Sequence, residues 1–498
     1  MNYLKVLLWN KELGRLVWDR SRRLIYFMFN PDADSRPDVS PVMHPASGWN
    51  RQIPIYGDSR RIYQGLPPFI ADSLPDAWGN RLFDRWLRQN HITGNAEKTL
   101  YKLMFIGRRG MGALEFEPAA EELVHRHSVD LDSLYRMALE ISDEREAITV
   151  DGAGDMTFRT LLSVGTSARG RQMKAIVAIN PDTGEIRSGQ CSGLPGFEYC
   201  IIKFEDELVP TSEIEMAYYE MARTCGIEME ECRLLRVDGT DHFITRRFDR
   251  KDGRKIHTQT LAAINPEADS YESLMETCRT IGLSETELSE VFRRLVFNVM
   301  ANNTDDHNKN FSFLLEEGGK WMLSPAYDMT FIFDTTGARA QNDRCMSLYG
   351  KLEGITKEDL LEFARENSIK NAEEIMNQVA EALAGFPALA DKYEIPSKWR
   401  LIMQKTIDSN LASFGYAERR GLPSALRDKC GNTYSDISIS VNSKGYYEIK
   451  ASVNGRPRRR FVRPGNELYE SMQRYDAGMI ADADASLLMA RLFSRAID

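Results

Sequence analysis

The sequence lacks the marks of several protein classes. Its seven cysteines, in 498 residues, form no Cys-x-x-Cys pair and are odd in number, so neither a disulfide framework nor a zinc site is expected. No apolar run approaches the roughly 18 residues that a membrane span needs. The N-terminal segment has no small-residue cleavage site, and charges follow its short apolar run closely. We therefore expect a cytoplasmic protein without membrane contact, whose first residues form a strand.

The chain as a whole also has no excess of positive charge. A net charge of -9 argues against a protein whose entire surface binds nucleic acid, although a local basic patch stays possible. The run at 456–460 and the nearby Arg463 form one such patch. It is either a solvated basic strand or a contact for nucleic acid or an acidic partner.

The length and the periodicity of apolar residues predict three domains with an α+β fold. Residues 1–120 alternate short strands with helical spacing and end in the glycine-rich turn of 110–118. The charged stretch 119–147 is typical of an exposed helical connection. Residues 150–420 begin with strands and one helix up to about 250 and are then mostly helical, whereas 421–498 predict a β-meander followed by helices.

The string Thr304-Asp-Asp-His-Asn-Lys-Asn310 carries the most informative spacing. Four residues separate Asp305 from Asn310, and Asp328 follows two strand-like segments later. Phosphoryl transfer needs a carboxylate that accepts the proton of the attacking hydroxyl, and oxygen ligands that hold Mg²⁺. Protein kinases likewise have four residues between the catalytic base and an asparagine ligand, and they place a second aspartate on the next hairpin. Taken alone, the string is more typical of a polar turn in which Asp and Asn cap a helix end.

Two upstream features complete a kinase-like order. Lys203 lies inside the apolar run Cys-Ile-Ile-Lys-Phe, where a lysine needs a negative partner such as a triphosphate. Its positioning carboxylate is Glu215, Glu213 or Glu220 on the next helical segment. A glycine-rich stretch, 165–170, precedes Lys174. Arg171 and Gln172 stand where a P-loop has Lys and Ser or Thr, so a flexible kinase-type loop is the better interpretation.

These motifs, in this order, resemble the HipA family, the kinase toxins of bacterial toxin–antitoxin pairs. The likeness covers about residues 1–420 and includes the segment 67–82, Gly-Met-Gly-Ala-Leu-Glu-Phe at 110–116, Arg-Arg-Phe-Asp-Arg at 246–250, His-Thr-Gln at 257–259 and Ser-Pro-Ala-Tyr-Asp-Met at 324–329. The resemblance implies a HipA-like kinase fold: an N-terminal α+β domain, a small β-rich ATP lobe and a mostly helical C-lobe. The α+β extension after residue 420 lies outside the likeness.

The resemblance also implies roles for individual residues. Asp305 would be the catalytic base, Lys203 would contact the ATP phosphates, and Asn310 and Asp328 would hold Mg²⁺. Further residues would line the nucleotide site, namely His307, Lys309 and Tyr327, the hinge residues Arg246, Arg247 and Phe248, and the phosphate-contacting Arg169, Gly170 and Lys174. Ser167 matches a serine that this family's kinases phosphorylate on themselves to silence the enzyme, and Thr166 is its competitor.

The family further implies the partners. The substrate would be a protein, such as an aminoacyl-tRNA synthetase, and a HipB-like helix-turn-helix antitoxin would restrain the kinase and connect it indirectly to DNA. Two alternatives stay open: a catalytically weak regulatory protein that binds ATP or the antitoxin, and a kinase whose acceptor is a small molecule or a lipid headgroup.

Overall fold

The structure is a computed structural model, in which the chain forms two compact units, Met1–Pro396 and Ser397–Asp498. The residues that it describes are 3–19, 21–32, 37–48, 50–89, 95–119, 129–142, 157, 160–162, 164–165, 172–190, 193–205, 209–416, 425–441, 446–463, 468–469, 471–472 and 482–493. Within these ranges no helix is long and apolar enough to cross a membrane.

The first unit begins with an antiparallel five-stranded sheet in the order β4-β3-β2-β1-β5. Its strands are β1 (Tyr3–Leu8), β2 (Lys11–Asp19), β3 (Leu24–Phe29), β4 (Ile55–Tyr56) and β5 (Leu114–Glu117). Leu4, Val6 and Leu8 alternate with more exposed residues along β1, so one face of the sheet is buried. Helices α1 (Pro68–Ala71) and α3 (Asn95–Ile106) contribute to this core. The predicted N-terminal strand is confirmed.

The second sheet is also antiparallel and has the strand order β7-β6-β8-β10-β9. Its strands are β6 (Lys174–Ile179), β7 (Ile186–Ser188), β8 (Glu198–Lys203), β9 (Cys232–Val237) and β10 (Thr240–Arg246). Helix α2 (Ala77–Gln89) packs on this sheet through Trp78, Leu82 and Phe83, although it comes from the N-terminal sequence. Helix α5 (Thr211–Thr224) follows β8, as the helical pattern of this segment predicts.

Helix α4 (Leu131–Ser142) corrects one expectation. The charged stretch 119–147 was expected to be an exposed connection, but α4 buries Leu134, Ala138 and Ile141 in the core of the second sheet. These residues recur at helical spacing among the charges, so one face of the helix is apolar enough to pack. The helical character that was predicted for this stretch is therefore present in α4, whereas the expected exposure is wrong.

The rest of the first unit is mainly helical, as expected. Its short strands are β11 (Arg250–Lys251), β12 (Arg254–Lys255), β13 (His257–Thr260), β14 (Ser312–Leu315) and β15 (Trp321–Leu323). Its helices are α6 (Leu261–Ile264), α7 (Tyr271–Thr280), α8 (Glu285–Met300), α9 (Lys357–Glu366), α10 (Ala372–Ala384) and α11 (Phe386–Lys392). A capping box between Ser284 and Glu287 begins α8, whose C-terminus leads into the Asp305 loop.

The second unit contains helix α12 (Ser397–Ser413) and an antiparallel sheet. The sheet has the order β16-β17-β18-β19, with β16 (Ala425–Arg427), β17 (Thr433–Val441), β18 (Tyr447–Val453) and β19 (Arg456–Val462). Helix α13 (Asp482–Phe493) covers one face, and Ile449, Met489 and Leu492 lie in their shared core. The three strands of the predicted meander form, and β16 adds a fourth.

A buried ion cluster ties the glycine-rich turn of the N-terminal domain to the segment after β10. Arg247 Nε and Nη2 each donate to the Asp249 carboxylate at 2.8 Å, and both side chains are fully buried. Arg250 Nη1 and the Gly112 amide donate to Asp249 Oδ2 at 2.7 Å. Burial raises the pKa of Asp249, but the two guanidinium groups lower it well below its usual value. The cluster thus fixes the segment that was predicted to be the hinge.

Replacing Asp249 tests this cluster. We expect Asp249→Ala to lower the free energy of unfolding by about 3–5 kcal/mol, because it leaves Arg247 and Arg250 buried without a counter-charge. The measurement is the midpoint of urea unfolding, followed by circular dichroism. Glu317→Ala, which removes an exposed partner of Lys11, is the control and should leave the midpoint unchanged. Equal midpoints for the two variants would contradict the assignment.

Candidate active site

A buried lysine and two carboxylates form the centre of the site. Lys203 ends β8 and is 7% exposed, and its Nζ donates to Glu215 Oε2 at 2.6 Å and to the carboxylate of Asp328. Helix α5 carries Glu215, whereas Asp328 follows β15 with a left-handed φ of 54°. Of the three candidate glutamates, Glu215 therefore contacts Lys203, while Glu220 pairs with Lys392 at 2.5 Å.

The electrostatics of this cluster favour its charged forms. Burial raises the pKa of Asp328, but the ammonium groups of Lys203 and Lys174 outweigh this effect and lower the pKa to about 2. Burial lowers the pKa of Lys203, and the carboxylates of Asp328 and Glu215 reverse this and raise it above its usual value. Around neutral pH, Lys203 is a cation beside an ionised Asp328.

Lys174 brings a second positive charge to the same place. It begins β6, lies directly opposite Lys203 in the strand pairing and is 3% exposed. Burial lowers the pKa of Lys174, and the charge of Lys203 adds to this, against the opposing effect of Asp328. The indole Nε1 of Trp78 donates to the Lys174 carbonyl at 3.0 Å and anchors the start of the strand. A pair of neighbouring lysines is suited to anionic ligands such as phosphates.

Asp305 and Asp306, which are adjacent in sequence, have opposite environments. The Asp305 side chain is 53% exposed, and its Oδ1 lies 3.8 Å from His307 Nε2. Partial burial raises the pKa of Asp305, although His307 opposes the shift. A carboxylate in this position is accessible to a hydroxyl group and has a raised affinity for a proton, as a general base requires.

Asp306 is fully buried and anchors the loop. Its Oδ2 accepts hydrogen bonds from Tyr271 Oη at 2.6 Å and Arg344 Nη1 at 2.7 Å. Its Oδ1 accepts from the backbone amides of Cys345 at 2.9 Å and Met346 at 3.3 Å. Because these four donors occupy the carboxylate, Asp306 has a structural role. Asp305 is the aspartate of this pair that is accessible to solvent.

Asn310 is held by the same loop. Its Nδ2 donates to the Asp305 carbonyl at 2.7 Å, and its own amide donates to the His307 carbonyl at 2.8 Å. The side-chain oxygen of Asn310 therefore points away from these bonds, as a metal ligand needs. Among the described residues, no cluster of three or more His, Cys, Asp and Glu side chains could hold a metal ion.

Lys309 connects the loop with the N-terminal domain and with the hinge. Its Nζ pairs with Asp76 at 3.3 Å, and its carbonyl accepts from Tyr327 Oη at 2.7 Å. The Tyr327 ring lies 5.7 Å from the ring of Phe248. Tyr327 therefore links Lys309 of the Asp305 loop to Phe248 of the predicted hinge.

The two arginines of the predicted hinge use their side chains for contacts within the protein. The Arg247 amide donates to the Tyr199 carbonyl at 2.8 Å, and the Arg247 side chain is used by Asp249. The Arg246 side chain pairs with Glu230 at 3.1 Å. Both guanidinium groups are thus paired within the protein, and the Arg246 amide donates to the Glu231 carbonyl at 3.0 Å. The backbone contact with adenine that the resemblance implies is therefore left to the carbonyl groups of these two arginines. Thr166, Ser167, Arg169 and Gly170 of the predicted glycine loop lie outside the described residues.

Several residues of this site were not found from the sequence. Arg344 and Tyr271 hold Asp306 from 38 and 35 residues away. Asp76 holds Lys309 from the N-terminal domain, and the Sγ atom of Cys345 lies 3.7 Å from Asp305. Asp76 lies inside the motif 67–82, whose presence was the only signal for a part in the site.

Two family models match the chain. The HipA N-terminal domain matches residues 4–117, and the HipA-like C-terminal domain matches residues 166–386. A kinase candidate named Y4dM, from Sinorhizobium fredii, is 24% identical over 204 residues, which are 37% of this chain and 50% of that protein. A kinase candidate from Haemophilus influenzae is 27% identical over 154 residues, or 26% of this chain and 45% of that protein. The match thus spans half of these curated relatives or slightly less.

Among solved structures, the chain is similar to HipA in the complex of HipA, HipB and operator DNA from Shewanella oneidensis. The TM-score is 0.56 at 14% sequence identity, and the alignment covers 82% of this chain and 96% of that one. At this identity the likeness concerns the fold. It agrees with the α+β kinase-like fold that was expected from the sequence.

The two aspartates can be distinguished by stability. We expect Asp306→Ala to lower the free energy of unfolding by about 3–5 kcal/mol, because Arg344 would lose its buried counter-charge. Asp305→Ala, at the next and half-exposed position, is the matched control and should change the urea midpoint little. A similar loss in both variants would mean that the loop is not anchored through Asp306.

Proposed function

The chain is a HipA-like protein, and we propose that it is a serine/threonine protein kinase that transfers the γ-phosphate of ATP with the help of Mg²⁺. The observation that supports this most is the contrast between buried Asp306 and accessible Asp305, on the loop that also carries Lys309 and Asn310. Phosphoryl transfer depends on positioning and on charge stabilisation, and these residues supply both.

In the proposed reaction, each charged residue has a distinct part. Lys203 and Lys174 bind the phosphates, and Glu215 keeps the Lys203 ammonium in place. The backbone of Arg246 and Arg247 meets the adenine, together with the ring of Phe248. Asp305 orients the acceptor hydroxyl and takes its proton as the oxygen attacks the γ-phosphorus, while the bond to the β-phosphate breaks.

Asn310 and Asp328 are the residues that would hold Mg²⁺. The Asp328 carboxylate is ionised at neutral pH, and the Asn310 amide adds a neutral oxygen. One or two such side chains together with substrate phosphates are the usual ligands of this ion in kinases. When bound, the ion neutralises charge on the phosphate oxygens.

Replacing the proposed base tests the reaction. We expect Asp305→Asn to lower phosphoryl transfer by about 100-fold to 10,000-fold, because the amide cannot accept the proton. Transfer is measured with radiolabelled ATP and Mg²⁺, on the protein itself and on lysate proteins, and ATP binding is measured in parallel.

ATP binding should survive in Asp305→Asn, and Asp182→Asn in the exposed turn after β6 is the matched control with full activity expected. Undiminished transfer in Asp305→Asn would contradict the proposed base. Growth arrest on expression that persists in this variant would favour the regulatory alternative over catalysis.

For the biological setting, we propose that the kinase is the toxin of a toxin–antitoxin pair. The acceptor would be a translation protein such as an aminoacyl-tRNA synthetase, and the restraining partner a HipB-like helix-turn-helix protein that carries the contact to DNA. The Shewanella oneidensis complex, which contains HipA, HipB and operator DNA, supports this partner by analogy. Copurification with a helix-turn-helix protein encoded by the adjacent gene tests it, and failure to form that complex would count against it.

Regulation by self-phosphorylation gives a separate prediction. Phosphorylation of Ser167 would add about -1.5 to -2 charges to a loop that has to accept phosphates, so we expect the modified protein to be inactive. Intact-mass analysis of active and inactive fractions should place one phosphate in the inactive fraction, and peptide mapping should place it on Ser167, with Thr166 the competing position. Ser167→Ala should stay active and unmodified. Finding the phosphate only in fully active protein would refute the prediction.

A further inference from the structure

The second unit carries a concentrated patch of positive charge in an acidic protein. Residues 446–463, which include strands β18 and β19, contain six basic residues and one acidic residue, whereas the whole chain has a net charge of -9. Five of the six basic residues are arginines. Repulsion between them disfavours the folded strand unless an anion is bound nearby.

Strand pairing shows which side chains share the uncovered face of this sheet. β18 and β19 pair with Glu448 opposite Phe461, Lys450 opposite Arg459, and Ser452 opposite Pro457. Residues that are opposite each other in an antiparallel pair project from the same face. The intervening residues of β18, Tyr447, Ile449 and Ala451, are buried in the core with α13. We call the other side, formed by Lys450, Ser452, Arg459 and Phe461, the open face.

Carboxylates of this region do not balance its positive charge, because its six basic residues share one acidic residue, Glu448. Glu448 is shared by Lys450 at 3.1 Å and Arg459 at 2.8 Å. Arg460 Nε donates to the Leu492 carbonyl near the end of α13 at 3.1 Å, so this arginine is structural. For Arg456 and Arg458, on the edge strand β19, no ion pair is found within the described part of the second unit.

Two aromatic rings lie among the arginines. Phe461 is 49% exposed on the open face, and the Arg459 guanidinium lies over its ring, 4.7 Å from the ring centroid. The guanidinium of Arg463 lies 5.7 Å from the ring of Tyr446. Exposed rings that accept stacked bases, next to arginines that bind phosphates, are the means by which single strands are bound.

We propose that the open face and the arginines of β19 bind single-stranded nucleic acid. A base stacks on Phe461, and Arg459 contacts a phosphate on the open face. Arg456 and Arg458 pair with Val453 and Ala451 and so project from the other side of the edge strand, where they contact phosphates of the strand as it follows this edge. Charge and proline also protect an exposed strand edge from pairing with another chain. Such protection does not require a net charge of +5 (six basic residues minus one acidic residue) or an exposed phenyl ring, so it leaves both features unexplained. An acidic peptide would satisfy the charge but not the ring.

Fluorescence anisotropy of the full-length protein tests the proposal. The probes are labelled single-stranded RNA and DNA of about 12 nucleotides, within the range that a small single-strand-binding domain covers. Phe461→Ala should weaken binding about 5-fold to 150-fold, since loss of one stacked base has an effect of this size. Arg456→Gln/Arg458→Gln should reduce the slope of log affinity against log salt by about 1.4, or roughly 0.7 for each lost phosphate contact.

The matched control is Lys370→Gln/Lys405→Gln, which removes two exposed lysines outside the sheet and should bind as the unaltered protein does. Asp305→Asn should also bind normally, so this result is separate from that for the kinase. Tighter binding of either RNA or DNA supports the proposal and identifies the ligand. Absence of binding, insensitivity to both sets of substitutions, stronger binding of a duplex, or equal competition by polyglutamate of the same charge would overturn it.

Discussion

The buried ammonium group of Lys203 is the constraint on which the site depends. A lysine at the end of a buried strand is unfavourable unless carboxylates meet it, because its desolvation costs several kcal/mol. Glu215 and Asp328 supply these carboxylates from a helix and from a loop more than 100 residues away. The two carboxylates that stabilise the Lys203 ammonium group thus bring β8, α5 and the segment after β15 to one place.

The N-terminal domain takes part in building this site. Trp78 anchors the carbonyl of Lys174, Asp76 pairs with Lys309, and Gly112 donates to the ion cluster of Asp249. A Cβ at Gly112 would come within 2.9 Å of the Thr258 amide, and its φ of 72° also favours glycine. The domain is therefore a scaffold for Lys174, for the Asp305 loop and for the segment 247–250.

Local spacing in the sequence was sufficient to predict some features of the fold and of the candidate site. Asp305, the proposed base, and Asn310 lie in one loop, so their spacing could be recognised before the fold was known. The α+β fold and the tail strands followed from alternation of apolar residues. The choice among Glu213, Glu215 and Glu220 could not be made, because it depends on which helix face meets β8. The anchoring of Asp306 by Arg344 and Tyr271 depends on long-range packing, and the apolar face of α4 was concealed by its charges. The role of Ser167 stays a prediction, since it lies outside the described residues.

The proposed function requires that Asp305, as the base, and Asp328, as a residue that would hold Mg²⁺, serve the same phosphoryl-transfer step. Single-turnover phosphoryl transfer, measured for Asp305→Asn, Asp328→Asn and the double variant, tests it most directly. If the two residues serve the same transition state, the double variant should be little slower than the slower single variant, because residues that act as a unit have non-additive effects. Losses that multiply in the double variant would show independent contributions and would contradict the account.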